Sequence, residues 1–256
     1  MIPHPRLGAI SKSSHASFTL GKHNWTIIGD ENCNDENEYI TELKMSACQE
    51  NEFTCNDGQC VSMEERCNQL TDCRDKSDER NCQILVLEEG YNMKVPPIES
   101  IDPANVLISM DLLKLVDIDE GNYAIEIQFE ITLKWKENRA TYQNLMTKES
   151  LNALSQEDYE KLWLPKVIYE NTDQKQTTRL GSNWEWDTKV IVKKEGNSTP
   201  SGLDLVDETN FFSGKENSLI MSQTYTHTFQ CAYQLSAYPF DTQVKEEIFS
   251  CSVKQS

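Results

Sequence analysis

Residues 125–135 read IEIQFEITLKW, and this stretch decides the fold class. Its odd positions, from Ile125 to Trp135, are apolar, whereas its even positions, from Glu126 to Lys134, are polar. This period of two predicts a long β-strand with one buried and one solvated face. Residues 106–118 predict a second strand, and the turn-forming residues 119–122 join the two as a hairpin.

The rest of the chain extends this pattern with short elements. A short helix or turn is predicted at residues 156–162, capped by Ser155 and ended before Pro165, and residues 196–200 are predicted as a loop. Further strands are predicted at residues 189–193, 219–229 and 231–235. Short strands at this spacing predict a mainly β protein built on an incomplete antiparallel β-sandwich.

Charge and composition exclude several function classes. Lys and Arg total 24 against 42 Asp and Glu, which gives a net charge of −18 and argues against nucleic-acid binding. No stretch approaches the roughly 18 apolar residues that a membrane span needs, so we expect no transmembrane segment in this chain. Of the four histidines only His227 lies outside the N-terminal 23 residues, and no nucleophile–base pair can be assembled. We therefore expect that the protein is not an enzyme.

Six of the nine cysteines fall between Cys48 and Cys82. This density favours a disulfide framework from an oxidising compartment over a zinc site, because Cys-x2-4-Cys pairs are scarce and no histidine is near. Spacing alone leaves the pairing open. Four acids, from Asp72 to Glu79, cluster between Cys67 and Cys82, which is typical either of a calcium site or of a solvated acidic turn.

Residues 48–82 resemble the LDL-receptor class A repeat through Phe53-x-Cys55, Asn56 to Val61 and Asp72 to Glu79. The resemblance implies a tiny core of Phe53 and Val61 and the disulfides Cys48–Cys60, Cys55–Cys73 and Cys67–Cys82. It also implies a calcium ion as cofactor, held by the side chains of Asn68, Asp72, Asp78 and Glu79 and the backbone carbonyls of Glu65 and Leu70. Asn68 stands where the family often has Asp, which removes one charge.

Residues 84–243 carry four further features: Val95-Pro96-Pro97, Val116 to Glu120, Trp135-x-Glu137-x-Arg139, and Cys231 followed by Tyr238, Pro239, Phe240 and Asp241. Together they resemble the extracellular ligand-binding domain of Cys-loop (pentameric) ligand-gated ion-channel subunits. The family closes a loop with a second cysteine where this chain has Lys245. Cys251 is an alternative partner for Cys231, but we favour residues 244–256 as a non-matching tail after truncation or splicing.

The resemblance also assigns a ligand pocket. The complementary-face aromatic position falls on Glu130, and the principal-face motif is Trp163-Leu164-Pro165-Lys166, followed by Tyr169 and Glu170. Glu130 breaks the aromatic cage that a quaternary ammonium ion prefers. It is interpreted either as a carboxylate that pairs with an amine or as a solvated residue, and the sequence does not name the ligand.

Residues 1–47 are interpreted as the possible tail of a lectin-like β domain, with Cys33 lacking an obvious partner. They show no signal peptide, so we expect Met1 not to be the natural start of an exported chain. Asn24 and Asn197 lie in glycosylation sequons.

The first functional hypothesis is the extracellular ligand-recognition region of a neurotransmitter-gated channel subunit without pore helices in this chain. Its partners would be homologous subunits and a small molecule bound between them, at the extracellular face of the plasma membrane. The alternative is a secreted, calcium-dependent binding protein whose class A repeat captures a basic protein. Glu65, in a position where that family often has Trp, disfavours the alternative.

Overall fold

A computed structural model describes residues 8–10, 20–28, 39–49, 51–97, 105–119, 121–165, 167–169, 177–178, 189–200, 208–230 and 251–253. The chain divides into two compact units. The first contains residues 1–83 and 198–211, and the second contains residues 84–197 and 212–256.

The described residues are mainly in antiparallel strands, with one short α-helix, α1 (Gln156–Tyr159), and 3₁₀ turns at Ser77–Glu79 and Glu149–Asn152. In chain order the strands are β1 (Gly8–Ile10), β2 (Gly21–Ile28), β3 (Tyr39–Met45), β4 (Glu52–Thr54), β5 (Cys60–Ser62), β6 (Leu85–Leu87), β7 (Leu107–Asp119), β8 (Ala124–Lys136), β9 (Ala140–Gln143), β10 (Val167–Tyr169), β11 (Thr177–Thr178), β12 (Lys189–Lys193), β13 (Thr199–Pro200), β14 (Asn210–Ser213), β15 (Ser218–Gln230) and β16 (Cys251–Val253).

In the first unit, a three-stranded sheet of order β1-β2-β3 precedes the β4–β5 hairpin. The two parts meet where the Lys22 amide donates to the Asn56 carbonyl at 2.9 Å. Gly21 allows this approach because it has a φ of 94° and because a Cβ there would collide with the Asn56 carbonyl oxygen. The start of β2 is therefore docked directly on the loop between β4 and β5.

In the second unit, the main sheet has the order β12-β15-β8-β7. The strand predicted at residues 125–135 is β8, and it pairs with β15 without a break, from Ala124 opposite Gln230 to Lys136 opposite Ser218. The odd residues of β8 from Ile127 to Trp135 are buried, with Phe129 fully buried and Leu133 and Trp135 each 1% exposed, whereas Ile125 is partly buried. The alternation in the sequence thus gave the correct strand and the correct buried face, and the mainly β fold class is confirmed.

The strand β7 lies at one end of this sheet. It pairs with β8 through two register irregularities, at Leu112–Lys114 and Leu115–Asp117. Leu112 and Ile118 face the same side as the buried row of β8, yet they are 62% and 49% exposed. Within the described residues, the apolar side of β7 is therefore uncovered, as an incomplete sandwich predicts.

Two details differ from the sequence-based expectation. The helix or turn predicted at residues 156–162 is helical only as far as Tyr159, since the Lys161 amide donates to Asp158 O and the Leu162 amide donates to Tyr159 O in tighter i→i+3 turns before Pro165. Its predicted cap is present: the Asp158 amide donates to Ser155 Oγ at 3.2 Å. Thr199 and Pro200, predicted as loop, pair with β14. The strand predicted at 231–235 lies outside the described residues.

Among the described helices, none has the length and apolarity to span a bilayer.

Candidate calcium site and ligand-recognition face

Three disulfides hold residues 48–82 together. They join Cys48 to Cys60, Cys55 to Cys73 and Cys67 to Cys82, with Cα–Cα distances of 5.5, 5.8 and 5.5 Å. These are the pairs that the class A resemblance implies. Phe53 and Val61 face each other across the β4–β5 hairpin and are both buried, so the small core also has the expected members.

Among the acidic side chains of residues 48–82 that the structure describes, that of Asp78 is fully buried. Its Oδ2 accepts a hydrogen bond of 2.7 Å from the Asp72 amide, whereas its buried Oδ1 has no hydrogen-bond partner. A buried carboxylate oxygen without a partner is costly, and a hard cation is a ligand that would satisfy it. The Asp78 carboxylate therefore fits a calcium ion.

The neighbouring predicted ligands converge on the same loop. Asn68 Nδ2 donates to Asp72 Oδ2 at 2.9 Å, and the Leu70 amide donates to Asn68 Oδ1 at 2.7 Å. Glu79 Oε1 accepts the Gln69 amide at 3.0 Å. Burial, together with the nearby carboxylates of Asp78 and Asp72, raises the pKa of Glu79. Carboxylates crowded in this way gain from a cation placed among them.

Glu65, whose backbone carbonyl is a predicted ligand, accepts the Ser62 amide through its side chain at 2.8 Å. Among the described residues, the two tight groupings of potential metal ligands do not include the predicted calcium ligands and consist of disulfide cysteines with one carboxylate each, Glu52 or Asp75. A disulfide sulfur is not a thiolate, so neither grouping is a candidate metal site.

Glu130 lies on the solvated face of β8 and is partly buried. In register it stands directly between Asp111 of β7 and Thr224 of β15. The pair of acids is notable because like charges placed directly opposite each other on neighbouring strands repel. The polar face of the sheet therefore concentrates negative charge at the predicted pocket position.

Tyr169 lies on the other side of the sheet from Glu130. It is buried, and its ring meets Phe129 edge-on at 5.8 Å and His227 at 4.8 Å between centroids. Since Phe129 and Glu130 are consecutive in a strand, their side chains point to opposite faces. Within one chain, the structure thus separates these two predicted pocket residues. Glu170 lies outside the described residues.

Trp163 is partly buried and packs edge-on against Trp135, with ring centroids 6.5 Å apart. Its backbone amide donates to the hydroxyl of Tyr91 at 2.8 Å. That hydroxyl donates in turn to Glu137 Oε2 at 2.9 Å. The segment that carries Trp163 is thereby tied to the end of β8.

Glu137 anchors this connection. It is fully buried and accepts two hydrogen bonds of 2.8 Å from Arg139, through Nε and Nη2. The bonds to Glu137 raise the pKa of Arg139. Glu137 and Arg139 were recognised in the sequence as part of a family motif, but Tyr91 was not. Tyr91 and Trp163 are far apart in the chain, so no local pattern indicates their contact.

The remaining predicted residues are distributed as follows. Asn24 and Asn197 are both exposed. Cys33 and the signature loop with Cys231, Tyr238, Pro239, Phe240 and Asp241 lie outside the described residues, so the proposed Cys231–Cys251 disulfide stays a prediction. Residues 251–253 form β16, which pairs with β10.

Comparison with known families gives two matches. Residues 46–82 match the low-density lipoprotein receptor domain class A. Residues 81–252 match the neurotransmitter-gated ion-channel ligand binding domain. Both resemblances found from the sequence are confirmed, and both families are receptor or binding domains. The second match runs past residue 243, and the predicted domain boundaries stay predictions.

Two relatives resemble a shorter part of the chain. It is 41% identical over 56 residues to a vitellogenin receptor of Solenopsis invicta, covering 22% of this chain and 3% of that protein. It is 40% identical over 57 residues to the basement membrane-specific heparan sulfate proteoglycan core protein of Mus musculus, covering 22% of this chain and 2% of that protein. The chain therefore spans only a small fraction of these relatives.

Proposed function

The chain belongs to the family of neurotransmitter-gated ion-channel ligand-binding domains, and from that premise we propose that it is the extracellular ligand-recognition region of a channel subunit. Homologous subunits are its proposed partners, and a small molecule binds between neighbouring copies. The solvated face of β8 forms one side of this pocket. Trp163, Tyr169 and Glu170 belong to the segment that forms the opposite side.

The observation that carries the proposal is the placement of Glu130 opposite Asp111 on the solvated face of the sheet. Two opposed carboxylates favour a cation between them, because an opposite charge relieves their repulsion. The ligand class that suits this face is therefore a small organic amine. An aromatic cage is not required when a carboxylate supplies the attraction.

The test is a binding measurement on the full chain, secreted from eukaryotic cells and separated into monomeric and oligomeric fractions. The probes are tyramine, choline and glycine, which differ in the charge and the substitution of the amine. We expect tyramine or choline to bind the oligomeric fraction, with the monomer binding more weakly. Absence of binding of all three probes to both fractions would contradict the proposal.

The variant Glu130→Gln sharpens this test. Glu126 is no control, because it stands opposite Asp117 and so also belongs to a pair of opposed acids. Glu89→Gln, which changes an exposed acid of the second unit outside this face, is the control. Loss of a charged contact is expected to weaken amine binding about tenfold at Glu130 and to change little at Glu89. An equal effect of the two variants would assign the binding to general charge rather than to the pocket.

The second part of the proposal concerns the class A module, which binds one calcium ion. Asn68, Asp72, Asp78 and Glu79 supply side-chain oxygens, and Glu65 and Leu70 supply backbone carbonyls. The ion provides a positive centre that crosslinks the loop. The unpartnered Oδ1 of Asp78 supports this assignment. The module thereby gains stability from calcium, in addition to that from its disulfides.

Calcium titration of the full chain by calorimetry tests this part. Asp78→Asn is expected to lower the calcium affinity at least about tenfold, since it removes a charge from a buried ligand. Glu64→Gln, an exposed acid of the same module, is the control and is expected to leave the affinity unchanged. Equal affinities of the two variants would contradict the assignment of Asp78.

A further inference from the structure

A cavity of about 370 Å³ lies within the first unit, apart from the predicted calcium ligands. Four cationic side chains line it: Lys22, Lys44, Arg66 and Arg80. Among the described residues that line this cavity, none carries a carboxylate. This is the reverse of the chain as a whole, whose net charge is −18.

The cations come from two different parts of the unit. Lys22 belongs to β2 and Lys44 to β3, whereas Arg66 and Arg80 belong to the disulfide-bonded module. The tight contact between Gly21 and the Asn56 carbonyl fixes the sheet against the module. The cavity is therefore built by the docking of two elements, and its positive lining does not arise from a run of basic residues in the sequence.

Two of the four cations are deeply placed. The Lys44 side chain and Arg66 are each only 3% exposed. Lys44 Nζ and Arg66 Cζ both lie 4.3 Å from the centroid of the Phe53 ring. Cation–π contacts offset part of the cost of burying these charges. Two buried cations on one aromatic ring also repel each other, and an anion beside them would reduce that repulsion.

Acidic side chains pair with the two lysines of the cavity and fix their positions. Glu42 pairs with Lys22 at 2.9 Å, and Glu208 pairs with Lys44 at 3.4 Å. Glu208 also accepts the Thr54 amide at 2.7 Å, so its carboxylate is held by the module. These contacts fix the two lysines in the wall of the cavity.

We propose that this cavity binds a sulfate or phosphate ester group of a small molecule. Guanidinium groups match the oxygens of such groups in a bidentate manner, and lysines add point charges. The volume corresponds to roughly a dozen waters at about 30 Å³ each, so it accommodates the oxyanion together with part of its carrier. The site does not depend on the amine ligand proposed for the second unit.

The first experiment uses the full chain with calcium present and sodium sulfate as the probe, with sodium chloride at equal ionic strength as the control. At low millimolar concentration, where the general stabilising effect of sulfate on folded proteins is small, sulfate is expected to raise the unfolding midpoint of the chain above that in chloride, because an anion that binds only the folded state stabilises it. An identical midpoint in the two salts would overturn the proposal.

Variants at the more accessible cations locate the site. Lys22→Gln and Arg80→Gln are each expected to weaken sulfate binding by about tenfold, the effect of losing one charged hydrogen bond. Arg74→Gln and Lys76→Gln remove exposed cations of the same module that do not line the cavity, and they are expected to leave binding unchanged. Equal losses in all four variants would overturn the assignment to the cavity.

The two sources of the oxyanion are separated by ligands that share one carrier. Glucose 6-sulfate and glucose 6-phosphate are titrated into the chain, with glucose as the uncharged control. We expect at least one ester to bind and glucose not to bind, and the tighter ester identifies the preferred group. Equal binding of glucose and both esters would overturn the proposal, since recognition would then not involve the anion.

Discussion

At the scale of single residues, the buried carboxylate of Glu137 organises the contacts at the end of β8 in the second unit. It receives hydrogen bonds from Arg139 and from the hydroxyl of Tyr91, which also accepts the amide of Trp163. A charge in such a place is tolerated only because its partners satisfy it. Glu137 therefore links the end of β8 to the segment that carries a predicted pocket residue.

Replacing this carboxylate is expected to be costly. Glu137→Gln removes the buried charge that accepts hydrogen bonds from the partly exposed guanidinium of Arg139, so we expect a loss of about 2 kcal/mol in the free energy of unfolding. Urea denaturation of the full chain measures it. Glu157→Gln removes a solvent-exposed acid that pairs with Lys161 at 3.2 Å, and it is expected to cost less than about 0.5 kcal/mol. Similar losses in the two variants would show that Glu137 is not an anchor.

His227 is a residue whose protonation is expected to make the stability of the core depend on pH. It stacks on Tyr225 at 5.7 Å and lies against Tyr169, and burial lowers its pKa. The unfolded residue titrates near pKa ~6.5, so in the window below that value the unfolded chain binds more protons than the folded chain. The contribution of His227 to stability is therefore complete above the window and is lost as the pH falls through it.

We expect the free energy of unfolding of the wild-type chain to decrease between about pH 7.5 and about pH 5 more steeply than that of His227→Gln. Urea denaturation at several pH values provides the slopes. Thr228→Gln, which alters an exposed and non-titrating residue of the same strand, is the control and should retain the wild-type slope. An unchanged slope in His227→Gln would contradict a titration of this residue.

At the scale of elements, β7 shows how backbone irregularities preserve a pattern. Its two register shifts keep Leu112 opposite Phe129, Leu115 opposite Ile127 and Ile118 opposite Ile125. Without them, a shift of one residue would turn the apolar row to the opposite face. The apolar row of β7 therefore continues that of β8, although it is exposed among the described residues.

An exposed apolar row on a strand at the end of a sheet favours association with other chains. We expect the purified chain to self-associate and Leu112→Lys to shift it toward the monomer, as measured by sedimentation velocity. Thr228→Lys adds the same charge at an exposed position of the central strand β15 and is the control. Identical association of both variants and the wild type would rule out β7 as the contact.

At the scale of the whole molecule, disulfides and sequons point to the same compartment. The three disulfides of the module require an oxidising environment to form. Asn24 and Asn197, each in a sequon, are exposed, as a glycan requires. These features agree with a receptor domain that functions outside the cell.

Secretion from eukaryotic cells is therefore expected to yield a chain with glycans at Asn24 and Asn197. Asn24→Gln and Asn197→Gln should each remove one glycan from the intact mass, and Asn122→Gln, which changes an exposed asparagine outside any sequon, should remove none. A secreted chain that carries no glycan at either position would contradict this prediction.

Local patterns made much of the fold predictable. The alternation at residues 125–135 predicted the bounds of β8 to within one residue at each end and its buried face, and the strand predicted at Lys189–Lys193 has those bounds in the structure. At residues 156–162 the sequence predicted a helix or turn, and the structure has a short helix followed by i→i+3 turns. Where the helix ends depends on neighbours that a helical pattern does not contain. The candidate site was reached only through family motifs, since its residues are separated in the chain.

The amino-acid order alone determined the mainly β architecture, the disulfide-rich module and the family, because side-chain periodicity, cysteine density and short motifs are local properties. Only the tertiary structure decided that Tyr91 joins Glu137 to Trp163, that Glu130 faces Asp111 while Tyr169 lies behind the sheet, and that four cations surround one cavity. These contacts join residues that are distant in the chain, and their positions follow from strand register and from the docking of elements, which no local pattern contains.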